Sequence, residues 1–460
     1  MRSNKKNVLD MTSGPVIGKL LTFVLPVLAS NLLQHLYSAA DRAIVGRVAV
    51  NGDFALAAVG STGPAITLIL NLFMGFALGA NVICSNLRGA AKTKELRRAM
   101  HTSILLAAVC GVFLTIVGVL LAKPFLQLMQ SPESVIESAT LYMRIYFVGV
   151  PFSLLLNFGS SILRAHGDSK RPMLILAVSG LVNVGLNLVF VVFFGMDVDG
   201  VAWATVISQV IAAVCVLRIL FKPDGDYGLN LKELKIHHRE MTDIARMGIP
   251  AGLNGALFSI SNVIIQSSVN SLGDIVMAGS AAAEGITGLT YQILAAFYTA
   301  CINFGGQCYG AGKYKRIDKV VGRSLLFCSG MIAVLAAVAT VFPNVFLGLF
   351  TDNPLVMKAA YPKLIILCWG YILYGATEIF LGASRGMRRS AIPTLLNVFG
   401  ICAPRLIWVF VVFPMNPTFD FLHLCYPISW IISTIFQGFY YLHTRRKLDR
   451  EEEIAKTATA

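Results

Sequence analysis

The sequence predicts an all-α polytopic membrane protein: 12 transmembrane helices in two six-helix bundles, repeated in parallel around a central cleft. Three observations predict it. The 460 residues are 56% hydrophobic and 13% charged, with a mean hydropathy of +0.70, whereas soluble domains carry about a quarter charged residues. The apolar residues fall in continuous runs, each long enough to cross about 30 Å of hydrocarbon, with none of the alternation of a β-barrel. The chain is also written twice: at an offset of 221, Asp53 recurs as Asp274, Gly89-Ala90 as Gly310-Ala311, Lys92 as Lys313, Lys94 as Lys315, Arg164 as Arg385 and Pro172 as Pro393. Duplication in so apolar a chain is the mark of transporters built from repeated bundles.

Hydropathy places the spans at 16–46, 54–87, 99–122, 138–163, 173–195, 200–221, 244–270, 274–306, 324–349, 360–384, 392–413 and 420–443. The first follows a basic start, Met-Arg-Ser-Asn-Lys-Lys, and is too long for a cleavable signal, so it reads as an uncleaved helix. It carries Pro26, and the seventh, its counterpart, carries Pro250. Each proline removes a backbone donor and permits a bend, which makes the pair candidate hinges. The second and eighth spans are long and Gly-rich, predicting tilt or a break. The fifth holds Val-Phe-Val-Val-Phe at 189–193, which returns in the eleventh at 409–413. Six spans per copy is an even number, so both copies enter the membrane in the same orientation. The organisation is therefore an N-lobe at 1–221, a cytoplasmic linker at 222–243, a C-lobe at 244–445 and a cytoplasmic tail at 446–460, expected as a short frayed helix.

Charge supports this topology. Of the 38 Lys and Arg residues, 31 fall at the termini, in the loops after even-numbered spans or within a turn of the span ends that face them, while the opposite loops carry acids such as Asp53, Glu133, Asp199 and Asp352. That is the positive-inside pattern, with both ends cytoplasmic in a cell membrane. The net charge of +14 is thus topogenic and no sign of nucleic-acid binding. The nine cysteines form no CxxC pairs and read as apolar packing residues. No GxxxxGK[ST] loop offers a nucleotide site, and no DDxxD, HExxH or Ser/His dyad suggests an enzyme. No cofactor is expected, and the chain is read as a monomer.

Ionisable residues inside spans are costly and mark functional sites by default. Six stand out: Asp41, Arg42, Arg144, Glu284, Glu378 and Arg405. Asn31, Gln34, Ser38 and Asp41 line one face of the first helix, with Tyr37 beside them. Asp41 falls roughly 9 Å below the outer surface at about 1.5 Å per residue. A carboxylate there can bind Na⁺ through hard oxygens or take a proton, with Asn157, Asn183, Asn187 and Thr205 as neutral partners. The alternative is a structural ion pair with Arg144 at similar depth. In the second copy, Asn254 and Asn262 mirror the stripe, Asn262 standing where Asp41 stands in the first. Glu284 shares a face with Tyr291 and Tyr298. It is either a cavity carboxylate that attracts cations or the ion-pair partner of Arg405. Glu378 lies two turns before Arg385 and is either a substrate or proton site or part of a gate network.

With these residues in hand, the chain resembles the multidrug and toxic compound extrusion (MATE) family, within a larger flippase superfamily. The resemblance rests on Leu-Pro-Val and Tyr-Ser-Ala-Ala-Asp-Arg-Ala-Ile-Val-Gly in span 1, Gly-Ala-Ala-Lys after span 2, and Leu-Arg-Ala-His-Gly-Asp-Ser-Lys-Arg-Pro after span 4. Val-Ala-Trp-Ala-Thr-Val-Ile-Ser-Gln in span 6, Gly-Gly-Gln-Cys-Tyr-Gly-Ala-Gly-Lys and Ser-Arg-Gly-Met-Arg-Arg-Ser complete it. The resemblance implies a Na⁺- or H⁺-coupled antiporter that expels bulky, often cationic, amphipathic compounds by alternating access. It matches Asp41 to the span 1 acid of one prokaryotic branch; where that branch often has a second acid, in span 5, this chain has Asn187. Where the other branch has an acid in span 7, this chain has Asn254 and Asn262. A flippase for a lipid-linked or other amphiphilic metabolite is the rival within the superfamily.

Overall fold

A computed structural model describes residues 8–48, 52–128, 133–222 and 227–459; the basic start at 1–6 and the side chain of Arg42 lie outside the described residues. Among those described there is no strand, and 12 helical segments are long and apolar enough to cross a membrane. In order they are α1 Val16–Val48, α2 Gly52–Gly89, α3 Thr93–Leu128, α4 Glu133–Ala165, α5 Lys170–Leu188 and α6 Val198–Leu220. After a 3-10 turn at Leu231–Glu233 come α7 His238–Asn270, α8 Asp274–Gly310, α9 Tyr314–Val341, the short α10 Pro343–Leu347 and α11 Pro354–Gly386. The eleventh span is composite: α12 Ala391–Asn397 and α13 Ala403–Ile407 joined by a π turn. A last pair, α14 Phe419–His423 and α15 Cys425–Thr459, closes the chain.

The helices overrun their apolar windows. α3 begins six residues earlier than hydropathy places it, and the tail is the continuous end of α15 instead of a frayed piece. A polar first turn such as Thr-Lys-Glu-Leu-Arg-Arg hydrogen-bonds to itself as readily outside hydrocarbon as within it. The ninth span ends early, at Val341, because Pro343 cannot donate to the preceding turn and instead opens α10. Of the tilt or break expected in the Gly-rich α2 and α8, no break occurs, and both helices are continuous. Their glycines serve close approach: a Cβ on Gly75 would lie 2.3 Å from the Gly248 carbonyl oxygen. The irregular backbone sits elsewhere, in π turns at Val189–Phe193, Val398–Cys402 and Trp408–Val412.

The chain divides into two compact units, residues 1–10 with 29–253, and residues 11–28 with 254–460. In the first, α4 is central and packs on α2, α3 and α6 around the buried Phe147, Leu154 and Phe158. In the second, α8 and α11 form the most extensive helix pair, and Phe23 packs edge-on against Phe304 at 5.8 Å between ring centroids. All nine cysteines are free.

The repeat returns in the backbone. α2 ends with Lys92 N–H bonded to the Leu87 carbonyl and Ala91 N–H to that of Arg88, while α8 ends with Lys313 on Cys308 and Gly312 on Tyr309, each 221 residues on. α4 and α11 show the same kinship: Asp168 on Leu163 and Gly167 on Arg164 in one, Arg389 on Ser384 and Arg388 on Arg385 in the other. These bonds satisfy the last carbonyls of each helix by turning one residue left-handed.

Candidate ion-coupling and substrate site

In the first unit, Tyr37 fixes α1 to α5. Its ring lies so close over Gly180 that any Cβ there would clash, and its hydroxyl donates to the Ala177 carbonyl at 3.1 Å. One turn further along α1 and two turns beyond Gly180 on α5, Asp41 meets Asn187, whose Nδ2 donates to Asp41 Oδ1 at 2.5 Å. The same amide reaches Asn183 Oδ1 at 3.5 Å, and Asn183 Nδ2 reaches Thr205 Oγ1 at 3.5 Å, so α1, α5 and α6 share one polar chain. Asn187 is fully buried, and its Oδ1 has no hydrogen-bond partner. A buried amide oxygen left open beside a carboxylate can accept a proton donor or coordinate a hard cation.

The other predicted members stand apart from this chain. Asn157 Nδ2 donates to the Ser153 carbonyl of its own helix at 2.8 Å, and Gln34 is exposed. Arg144 is exposed as well, with Nε donating to the Val119 carbonyl at 3.2 Å. Tyr142 and Tyr146 of α4, which sequence reasoning missed, lie within electrostatic reach of Asp41. Their spacing of four residues on one helix face was the available signal.

In the second unit, of the two alternatives for Glu284, the ion pair with Arg405 does not form. Glu284 pairs with Lys363, Nζ to Oε2 at 3.2 Å, and Lys363 also donates to the Ser280 hydroxyl at 2.8 Å. The Lys363 side chain is buried while that of Glu284 is 68% exposed, so the carboxylate keeps a free face. Arg405 is fully buried inside an aromatic cage, its guanidinium 4.3 Å from the Tyr426 ring centroid, 5.2 Å from Phe258 and 5.8 Å from Trp430. Its polar contacts are Asn262 Oδ1 at 3.4 Å and Ser429 Oγ at 3.2 Å. Asn254 accepts from Asn397, which in turn accepts from Ser433.

Tyr374 joins the cage to the rest of the unit, stacking on Trp430 at 5.3 Å, on Phe258 at 6.3 Å and on Tyr291 at 6.2 Å. Glu378, buried one turn on, lies beside Tyr374 and Arg385, and Arg385 donates to the Tyr298 hydroxyl and to Thr394. The structure thus gathers Glu378 and Tyr298 around Arg385, and Tyr374 and Trp430 beside Arg405, with Tyr291 stacked on Tyr374. Stacked rings with a carboxylate nearby suit a flat organic cation.

A family model described as MatE matches residues 26–189 and 250–408. Probable multidrug resistance protein YoeA of Bacillus subtilis (strain 168) is 28% identical over 407 residues, 87% of this chain and 88% of the relative. Probable multidrug resistance protein YpnP of the same organism is 27% identical over 380 residues, 82% of this chain and 84% of the relative. A solved structure described as the outward-facing conformation of a multidrug resistance MATE family transporter of the MOP superfamily superposes with a TM-score of 0.89 at 21% identity, over 98% of this chain and all of that one.

Proposed function

Because the chain belongs to the multidrug and toxic compound extrusion family of membrane transporters, we propose that it exports bulky, amphipathic, often cationic compounds in exchange for Na⁺ or H⁺, with Asp41 as the coupling carboxylate. The observation that carries the reading is the Asp41–Asn187 contact, with the second oxygen of Asn187 buried and open. An amide can donate to the carboxylate through Nδ2, or, turned over, accept from its protonated form or share a cation with it through Oδ1. The site therefore has two arrangements that differ by one bound ion. Asn183 and Thr205 extend the polar wall, and Tyr37 holds the helix that carries the acid. Asn157 and Gln34 belong to the same half of the machinery without joining the hydrogen-bonded chain.

The cargo is met in the second unit. Tyr291 and the exposed carboxylate of Glu284 offer a ring and a charge to an aromatic cation, while Arg405 and Asn262 brace the cage behind. Glu378, Tyr298 and Asn254 line the polar side of the same unit. Exchange follows when ion and cargo prefer different conformations, since each then promotes release of the other. The protein acts as a monomer in this reading, with both termini cytoplasmic.

The test is dye export from proteoliposomes driven by a Na⁺ gradient in one arm and a pH gradient in the other. Asp41→Asn should abolish gradient-driven export while dye binding to the detergent-solubilised protein persists. Unchanged export by the variant in both arms would remove Asp41 from the mechanism.

A further inference from the structure

The first unit carries a second concave site, at its Lys- and Arg-rich end. A cavity of 540 Å³ lies between the first turns of α3 and the segment that follows α6, lined among others by Lys94, Arg97, Arg98, Lys232, Glu233 and Lys235. Five cations face one carboxylate. Glu233 is 3.7 Å from Arg97 with both side chains about half exposed, an arrangement that neutralises little. Among the described residues, Lys94, Arg98 and Lys235 have no ion pair or side-chain hydrogen bond.

The walls of this cavity are fixed. Arg97 Nε donates to the Gly228 carbonyl at 2.7 Å, the buried His101 accepts the Asn230 N–H at 3.1 Å, and Thr102 Oγ1 accepts the His237 N–H at 3.1 Å. Contacts on two successive turns of α3 thus hold the linker against it, and the linker's lysines converge on those of the helix. Membrane topology accounts for cations at this end of the chain, but not for their gathering around a preformed hollow.

The repeat sharpens the point. Lys94 and Arg98 recur in the second copy as Lys315 and Lys319, but Arg97 is replaced there by Asp318, which accepts from Arg445 at 2.9 Å and from Tyr441. The second copy has an acid where the first has a third cation.

From this geometry we infer that the cavity binds a phosphate-bearing anion. Arginine and lysine in convergent array are the side chains that recognise phosphate, by forked hydrogen bonds and by point charge. Its position favours a lipid headgroup. Lys94, Arg97 and Arg98 occupy the first turns of a membrane span, and Leu231, next to Lys232, is 69% exposed, an apolar side chain at the level where basic residues meet anionic lipid. The occupant is an anionic phospholipid that holds the linker to the first unit.

The test uses the full-length protein in a neutral detergent, with thermal unfolding read against added dioctanoyl phosphatidylglycerol, dioctanoyl phosphatidylcholine or inorganic phosphate at constant ionic strength. The expected result is a saturable rise in Tm with phosphatidylglycerol and none with phosphatidylcholine. Lys94→Gln/Arg98→Gln/Lys235→Gln should weaken that response at least tenfold. Lys315→Gln/Lys319→Gln/Arg323→Gln, which removes the same charge from the start of α9, should leave it intact. If inorganic phosphate alone gives the whole response, with the same dependence on the two variants, the anion is free phosphate and the site stands. Equal responses in wild type and the first variant, equal loss in both variants, or no response to either phosphate compound would overturn the site. Should the triple variant fail to accumulate, the single change Arg98→Gln decides by the same criteria.

Discussion

Asp168 sits in the loop between α4 and α5, fully buried, with Oδ1 accepting the Arg171 N–H at 3.1 Å and Oδ2 accepting the Tyr227 hydroxyl at 3.2 Å. Burial pushes its carboxyl above the ordinary 3.8, and the Arg171 and Tyr227 contacts offset this only in part. A folded-state pKa above the unfolded one means that the acid's contribution to stability is whole below the unfolded value and is lost as pH rises through the folded one. Detergent-solubilised wild type should therefore lose Tm across that acidic window, and Asp168→Asn should lack that part of the slope; identical slopes would sink the assignment. Tyr227→Phe, which strips a donor from a buried carboxylate, should cost about 1–3 kcal/mol at neutral pH. In the sequence Asp168 was one letter of a loop motif, because the residue that decides its fate lies 59 positions away. Asp41 was legible because the polar residues of α1 recur with it at helical spacing. The choice between the two alternatives for Glu284 was closed to the sequence for a different reason: position along a span leaves the direction around the helix axis open, and it is Lys363 that faces Glu284. Lys363 went unnoticed because one lysine does not interrupt an apolar run.

At the scale of elements, the duplicated helix ends make a prediction that neither copy makes alone. The left-handed position after α2 is Ala91, with φ of 54°, and after α8 it is Gly312, with φ of 67°; after α4 it is Gly167 at 91°, and after α11 Arg388 at 60°. One member of each pair is glycine, which adopts this conformation freely, and the other carries a Cβ that makes it unfavourable by about 1–2 kcal/mol. Ala91→Gly and Arg388→Gly should each stabilise the protein by up to about 1 kcal/mol once the extra freedom of the unfolded glycine is subtracted. Gly312→Ala should destabilise it, and Gly167→Ala should do so more strongly, because a Cβ there would lie 2.3 Å from the Leu9 carbonyl oxygen. Denaturant titration in detergent reads all four, and a loss of stability in both glycine variants would refute the account. Existence and order of the spans were open to hydropathy because hydrocarbon demands continuous apolar helix. Helix ends were not, since backbone hydrogen bonding continues where apolarity stops. The π turns were half visible: Val189–Phe193 is the very pentapeptide that recurs in the second copy, where the turn at Trp408–Val412 overlaps it.

For the whole molecule, what matters is where the chain passes from one compact unit to the other. It does so after residues 10, 28 and 253, and the last two passages lie inside α1 and α7, within a turn of Pro26 and Pro250. A proline inside a helix lacks the donor that would bind the carbonyl four residues back, and in a helix interior it is about 3 kcal/mol less favourable than alanine. Each of these helices is therefore weakest just before it leaves one unit for the other, which is where a transporter whose units move must bend. Pro250→Ala restores the missing bond without touching Asp41, Asn187 or the aromatic cage. The variant should unfold at higher temperature and bind a fluorescent cationic dye with unchanged affinity, yet export it several-fold more slowly from proteoliposomes. Turnover equal to wild type would mean that the bend is static and the movement lies elsewhere. Slower turnover together with weaker dye binding would mean that the kink shapes the binding surface, and the hinge assignment would fall. Only the combination of intact binding, raised stability and slowed export assigns the proline to motion.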